Sequence, residues 1–252
     1  MRQAVVWLLN EKYGGQLTDK AKRDITRLQK GEPIDYIIGH KNFCDCKIDL
    51  RYKPLIPRDE TEYWVQKVVE DLQSPGVCKF TDPRTLYCLD MFAGSGCCGI
   101  AVLKNIPKSH CDFVDIEDNC LKQIRFNLKL NGIDKARYRI IKSNIFEKIN
   151  GLYDLILANP PYIGLGEKNK VQKSVLNFEP KKALFAKNKG LYFIEKFLKQ
   201  AKNYLAPERV IYLEFGYNQK KEVAKLLKKF NYSNFKFHKD QFNKWRFVKI
   251  RA

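Results

Sequence analysis

Apolar residues along the chain recur with two periods, and the change between them divides it into a helical start and a longer alternation of strands and helices. Residues 2–13 predict a short helix with Val5, Val6, Leu8 and Leu9 apolar, stopped by Gly14-Gly15. Thr18 can cap a second helix that carries Ala21, Ile25 and Leu28 and ends at Gly31. Pro33-Ile-Asp-Tyr36-Ile-Ile-Gly39 and Asn42-Phe-Cys-Asp-Cys-Lys-Ile-Asp-Leu50 predict the two arms of a hairpin. Asp59-x-x-Glu62 has capping-box spacing and opens a predicted helix through Trp64, Val65, Val68, Val69 and Leu72, broken by Ser74-Pro75-Gly76.

From there strands are predicted at Leu86–Met91, Cys111–Ile116, Tyr138–Lys142, Asp154–Asn159 and Val210–Phe215, with helices at about 97–104, 117–131, 190–204 and 218–229. Asn234–Lys239 and Trp245–Ile250 follow one another as strands across a short loop. Strands alternating with helices predict an α/β fold with a doubly wound, mostly parallel seven-stranded sheet, to which the terminal hairpin adds one antiparallel strand. The expected division is a short helical region over 1–32, a hairpin and linker helix over 33–75, and a catalytic domain over 76–252.

Composition narrows the class. The 252 residues are 44% hydrophobic and 30% charged, as in ordinary globular proteins. No apolar run approaches the roughly 18 residues that span a membrane. The N-terminus turns polar too soon for a secretory signal. Eight cysteines include no Cys-x-x-Cys, and His40, His110 and His238 supply no zinc pattern. A reduced, metal-free protein of the cytoplasm is expected. The net charge of +19 fits nucleic acid or an acidic partner. It fits lysine-rich solvation equally well, because the lysines are scattered through predicted helices.

Two local motifs carry chemistry. Asn159-Pro160-Pro161-Tyr162 follows the apolar run Leu155–Ala158. Two prolines fix the backbone and remove donors, which suits neither helix nor strand interior. Such a turn holds the Asn amide and a proline carbonyl at a strand end, as two acceptors for a planar –NH₂ group whose face an aromatic ring can cover. Upstream, Asp90-Met-Phe92-Ala93-Gly94-Ser95-Gly96 follows the first strand of the alternation. Its glycines let a ligand approach the backbone, and the next helix offers its amides. Asp115 ends the second strand, where an acid can accept from both hydroxyls of a ribose, serve as the N-cap of the next helix, or do both. The acidic Asp90 would repel a pyrophosphate but tolerates a cationic amino acid. S-adenosyl-L-methionine has that group, a ribose and no phosphate.

At this point the chain resembles the PrmC/HemK glutamine methyltransferases, which modify peptide-chain release factors. The resemblance runs from about Pro33 to the C-terminus. Its motifs are Pro33–Gly39, Ile56-Pro57-Arg58-Asp-Glu60-Thr61-Glu62, the glycine loop, Asn159–Tyr162, Phe178-Glu179-Pro180 with Ala183-Leu184-Phe185, and Leu213-Glu214-Phe-Gly216-Tyr-x-Gln219. Pro-Arg-x-Glu-Thr-Glu discriminates best, since general amino-methyltransferases look as though they lack it.

The resemblance implies that Asp90 and Phe92, Ala93, Gly94, Ser95 and Gly96 hold the methionine part of the cofactor. It gives Asp115 the ribose, and Asn144 and Ile145 the flanks of the adenine. Asn159, Pro160, Pro161 and Tyr162 would hold the glutamine amide, with Arg58 and Glu60 also on the substrate side. Asn159 would lie against the cofactor as well, and S-adenosyl-L-homocysteine would be the product. The implied partner is a class I peptide chain release factor, and the enzyme is expected to be a monomer.

Three departures stand out. Phe92 sits where the family pattern usually has glycine, Asn144 replaces the usual aspartate, and the region before Pro33 is much shorter than the family's docking domain. Two rivals remain at this stage. One is a DNA or RNA amino-methyltransferase, although only about 75 residues lie outside the catalytic core and nucleic acid is not the expected substrate. The other is an inactive cofactor-binding scaffold.

Overall fold

A computed structural model describes residues 1–74 and 85–251. The chain opens with α1 (Arg2–Tyr13) and α2 (Asp19–Gln29), the latter capped by Thr18 Oγ1, which accepts from the Ala21 amide at 3.1 Å. Next come α3 (Ile34–Ile38), the hairpin strands β1 (His40–Phe43) and β2 (Cys46–Asp49), and α4 (Asp59–Gln73).

Two expectations are corrected here. Residues 34–38 form a helical turn instead of the first hairpin arm, and both arms lie within 40–49. Pro33 starts that turn with its fixed φ, and Gly39, at φ 97°, ends it with its amide on the Asp35 carbonyl. The capping box is also absent. Arg58 is the N-cap of α4, Asp59 pairs with Lys41, and Glu62 Oε1 accepts from the Cys44 amide at 2.8 Å. The two acids pin the hairpin to α4. Pro75 and Gly76 lie outside the described residues.

The alternation then reads β3 (Leu86–Met91), α5 (Cys97–Asn105), β4 (Ser109–Asp115), α6 (Asp118–Leu130), β5 (Tyr138–Lys142) and β6 (Tyr153–Ala158). Between β6 and α9 (Tyr192–Ala201) runs a segment that the apolar pattern does not reveal. It holds the two-residue strands β7 (Ile163–Gly164) and β8 (Phe185–Ala186), paired in parallel, and the short helices α7 (Lys173–Phe178) and α8 (Lys181–Leu184). The chain ends with β9 (Leu205–Glu214), α10 (Lys220–Lys229), β10 (Asn234–Lys239) and β11 (Trp245–Arg251).

The large sheet has seven strands in the order β10-β11-β9-β6-β3-β4-β5. Its strands are parallel from β5 to β9, and β11 runs antiparallel to both its neighbours. Alternation along β3 splits the core. Leu86 and Cys88 pack with Trp64, Val65 and Val68 of α4, Ile100 of α5 and Ile124 of α6. Leu89 and Met91 pack on the opposite face with Ile194 and Phe197 of α9 and Val223 and Leu227 of α10. The order reverses between β3 and β6, so the loops after these two strands open beside each other, where doubly wound sheets bind ligands. Among the described residues no helix is long and apolar enough to cross a membrane.

Candidate active site

The loop after β3 and the loop after β6 meet at a cavity of about 740 Å³ that Asp90, Phe92, Ala93, Gly94, Ser95, Asp115, Asn144, Ile145, Asn159 and Pro161 help to line. A second cavity of about 390 Å³ adjoins it and is lined by Pro160, Tyr162, Lys170, Gln172 and Glu214 among others. Leu55, Arg58, Asn159 and Ala183 line both. Asn159 therefore stands at the junction of the two spaces.

On the β3 side, Asp90 is buried and its Oδ2 accepts from the Gly99 amide at 2.8 Å. Gly99 can donate there because α5 sits hard against β4: a Cβ on it would come within 2.4 Å of the Phe113 ring. Burial pushes the Asp90 carboxyl up to about 8, against the pull of that amide. Asp115 is engaged on both oxygens, Oδ2 by the Gly94 amide at 2.8 Å and Oδ1 by the Glu117 amide at 2.9 Å. Burial raises this acid too, while the amides of Glu117, Gly94 and Ile116 pull it down. The N-cap of α6 is Glu117, so Asp115 braces the glycine loop against the start of that helix and is not itself the cap.

Phe92 has φ 62°, a left-handed conformation that costs a side-chain-bearing residue about 1–2 kcal/mol. A glycine would adopt it freely, which accounts physically for the residue type the family pattern places there. Here the ring is retained by packing: it meets Phe193 edge-on with centroids 6.0 Å apart and lies 6.4 Å from Phe197. Ile145 is also left-handed, at φ 54°, a strained geometry for a β-branched residue and one the sequence does not signal. Asn144 directs its Nδ2 to Glu147 Oε1 at 2.6 Å, which leaves Oδ1 as its end for other contacts. Gly96 lies at φ 80° as the N-cap of α5 and does not itself line the large cavity.

On the β6 side, Asn159 Nδ2 donates to Thr61 Oγ1 at 3.2 Å, and Thr61 Oγ1 donates to Glu214 Oε2 at 2.8 Å. Trp64 Nε1 also donates to that oxygen at 2.7 Å, and Tyr162 Oη donates to Glu214 Oε1 at 3.0 Å. Tyr162 Oη in turn accepts from Arg246 at 3.4 Å. Burial raises the Tyr162 phenol above its ordinary range. The backbone end of the turn is clamped by Gln219, whose Nε2 donates to the Tyr162 carbonyl at 2.8 Å and whose Oε1 accepts from the Gly216 amide. Gly190 passes so close that a Cβ there would lie 1.9 Å from the same carbonyl. The Glu214–Gln219 motif thus holds Asn159–Tyr162 from behind.

The two remaining expected substrate residues divide. Arg58 lines both cavities, with its guanidinium on Glu179 Oε1 at 2.7 Å. Glu179 Oε2 accepts from the Ile56 amide, so this acid fastens the segment over 56–58 to the wall formed by 163–190. Glu60 is not brought to either cavity; it faces Arg246 at 3.7 Å. Thr61, Trp64 and Glu214 were missed as site residues, although Thr61 and Glu214 lie within motifs the sequence presents. Among the described residues no cluster of three metal-ligating side chains occurs, and the seven described cysteines are all free thiols.

Residues 77–178 match the family model described as Methyltransferase small domain. The chain is 32% identical over 229 residues to the release factor glutamine methyltransferase of Flavobacterium psychrophilum, covering 90% of this chain and 78% of that protein. It is likewise 32% identical over 249 residues to the release factor glutamine methyltransferase of Lactococcus lactis subsp. lactis, covering 97% and 86%. Among solved structures, the N-terminal domain of human METTL16 in complex with SAH aligns with a TM-score of 0.56 at 13% identity, over 82% of this chain and 75% of that one. That likeness is one of fold.

Proposed function

The chain belongs to the release factor glutamine methyltransferases, and we propose that it methylates the side-chain amide of a glutamine in class I peptide chain release factors. It is an S-adenosyl-L-methionine-dependent enzyme with the class I methyltransferase fold. The acceptor is the glutamine of the Gly-Gly-Gln motif, and S-adenosyl-L-homocysteine is the product. One observation carries this assignment of roles. Asn159 stands between two adjoining cavities with its amide nitrogen tied to Thr61, so its Oδ1 is the end left to receive an –NH₂ group.

The residues present fit the cofactor. Two carboxyl groups, Asp90 and Asp115, flank a loop with left-handed backbone at Phe92, Gly94 and Gly96, beside a cavity of about 740 Å³. Asp90 and the Phe92–Gly96 loop would hold the methionine part, Asp115 the ribose, and Asn144 with Ile145 the adenine. When bound, the sulfonium supplies an electrophilic methyl group. The acceptor amide is a poor nucleophile because its lone pair is delocalised into its carbonyl. Asn159 Oδ1 and the Pro160 carbonyl, accepting its two hydrogens, favour pyramidal nitrogen and raise its electron density. Tyr162 fixes the amide plane. Orientation of this kind corresponds to effective molarities of about 10⁵–10⁸ M. No side-chain base is needed beforehand, since the nitrogen's proton becomes acidic only after transfer.

We further place the enzyme in the cytoplasm, as a monomer, with residues 1–32 contributing to docking, 33–75 linking and 76–252 catalytic. Incubation with labelled S-adenosyl-L-methionine and either a release factor or nucleic acid tests the assignment: label is expected in the factor, and label in nucleic acid alone would overturn it.

Two results follow for the cofactor side. Asp115→Ala should weaken S-adenosyl-L-methionine binding by about 1.5–3 kcal/mol, the scale of hydrogen bonds to a charged group. Unchanged affinity in calorimetry would reduce Asp115 to a brace for the glycine loop. Asp90 sets a pH dependence. In the free protein its carboxyl holds a proton up to about 8, whereas the unfolded chain releases it near 3.8. The folded state thus binds more protons between these values, and Asp90 costs stability as pH rises through that window. Holding a cation requires the ionised form, so cofactor affinity should climb by up to about tenfold per unit from pH 6 and level off above 8. Asp90→Asn should bind more weakly and flatten the profile; an unaltered slope in that variant would assign the titration elsewhere.

A further inference from the structure

The acceptor clamp has a polarity, and the groups behind it decide which way it points. An asparagine amide presents a donor at one end and an acceptor at the other, and the two ends have nearly the same shape. Only the orientation with Oδ1 outward suits an incoming –NH₂ group. Reversed, the same side chain would donate to a carboxylate.

We infer that Glu214, acting through the Thr61 hydroxyl, is a positioning residue that fixes Asn159 with Oδ1 toward the acceptor, so that the site takes an amide and rejects a carboxylate. This rests on the assignment of Asn159 as the amide clamp. The Thr61 hydroxyl has one hydrogen. It is directed at Glu214 Oε2 at 2.8 Å, an oxygen that also accepts from Trp64 Nε1, a group that can only donate. The other oxygen of Glu214 takes the Tyr162 hydroxyl at 3.0 Å. Three donors converge on this buried side chain. Burial pushes its carboxyl up, while Trp64, Thr61, Arg246 beyond Tyr162, and Tyr162 itself pull it back toward the ionised form. With its hydrogen committed, Thr61 Oγ1 has only lone pairs to offer Asn159, and it accepts from Nδ2 at 3.2 Å. The amide cannot turn over without setting Oδ1 against an oxygen that has no hydrogen left to give.

Glu214 thereby serves two side chains of the turn, holding Tyr162 directly and Asn159 through one hydroxyl. The residues concerned come from α4, the end of β6 and the end of β9. Thr61 lies 98 positions from Asn159 and 153 from Glu214 along the chain.

Thr61→Val removes the hydroxyl and keeps the side-chain shape. Turnover on the release factor should fall about a hundredfold, the cost of a misaligned acceptor, with cofactor affinity unchanged. The selectivity readout is specific to polarity. A release factor carrying Glu in place of the acceptor Gln, used as a competitive inhibitor, should gain at least about tenfold relative to the Gln substrate, because the freed amide can turn its donor end outward. Thr61→Ser should restore most of both properties. A structural role alone would lower the melting temperature without altering the preference between Gln and Glu. Should Thr61→Val fail to fold, Thr61→Ala makes the same deletion in less volume. A folded variant that keeps normal turnover, or the normal preference, removes the inference. Wild-type enzyme that leaves the release factor unlabelled removes the functional assignment, and the inference with it.

Discussion

Asn159→Ala is expected to cut turnover by two to four orders of magnitude while leaving S-adenosyl-L-methionine affinity within a few-fold. Oδ1 is one of two acceptors proposed for the hydrogens of the substrate –NH₂. Sites built to hydrogen-bond such a group discriminate by roughly 10⁴–10⁵ at best, and removal of one preorganised electrostatic partner elsewhere costs about 10²–10³ in turnover. The cofactor's methionine part and ribose are assigned to Asp90 and Asp115, on the other side of the β3–β6 junction, so its affinity should barely respond. The variant leaves Thr61 hydrogen-bonded to Glu214, and Tyr162 with its own bond to that acid, so the surrounding frame survives. Single-turnover methyl transfer alongside calorimetry separates the two quantities. Near-normal turnover would sink the clamp.

The sheet was legible because its strands carry their own period. Leu86–Met91, Tyr138–Lys142 and Asn234–Lys239 coincide with β3, β5 and β10, each a short run closed by polar or turn residues. The predicted helices fall within a few residues of α5, α6, α9 and α10. What escaped was shaped by contacts distant in sequence. Residues 163–190 have no sustained period. They are fastened by Arg58 and Ile56 through Glu179 and by Gln219 through the carbonyls of Tyr162 and Lys189. Apart from Asp35, residues 34–38 have apolar or aromatic side chains compatible with either state, and Pro33 with Gly39 decided for a helical turn.

The candidate site divides along the same line. The glycine loop, Asp115 and Asn159–Tyr162 are local motifs at strand ends, so the pattern of residues carries them directly. Glu60 and Thr61 show the opposite case. They are neighbours in one motif, but adjacent positions on a helix point about 100° apart. Thr61 is buried beneath Asn159, whereas Glu60 turns toward Arg246. Which of the two faces the cavity is set by how α4 packs on β9 and β11, where Trp64 lies against Tyr212 and Phe247. No spacing within the motif encodes that. The join of Thr61 to Glu214 likewise requires the order of the whole sheet.

Replacing the acceptor glutamine of the Gly-Gly-Gln motif by glutamate is expected to abolish methyl transfer altogether. Glutamate has no nitrogen to receive the methyl group, and its carboxylate would meet Asn159 Oδ1, an acceptor facing an acceptor. The unaltered factor should gain one methyl group on that side-chain amide, placed by mass spectrometry of the digested protein. Salt dependence then distinguishes a protein substrate from a polyanion. With a net charge of +19 the enzyme should meet its partner faster at low ionic strength. A protein that displaces several phosphate counterions loses about 10³–10⁵ in affinity between 50 and 200 mM salt, and methylation of a release factor should fall far less steeply. A slope as steep as that, or a methyl group located on another side chain of the factor, would mean that the cavity beside Asn159 serves a different acceptor.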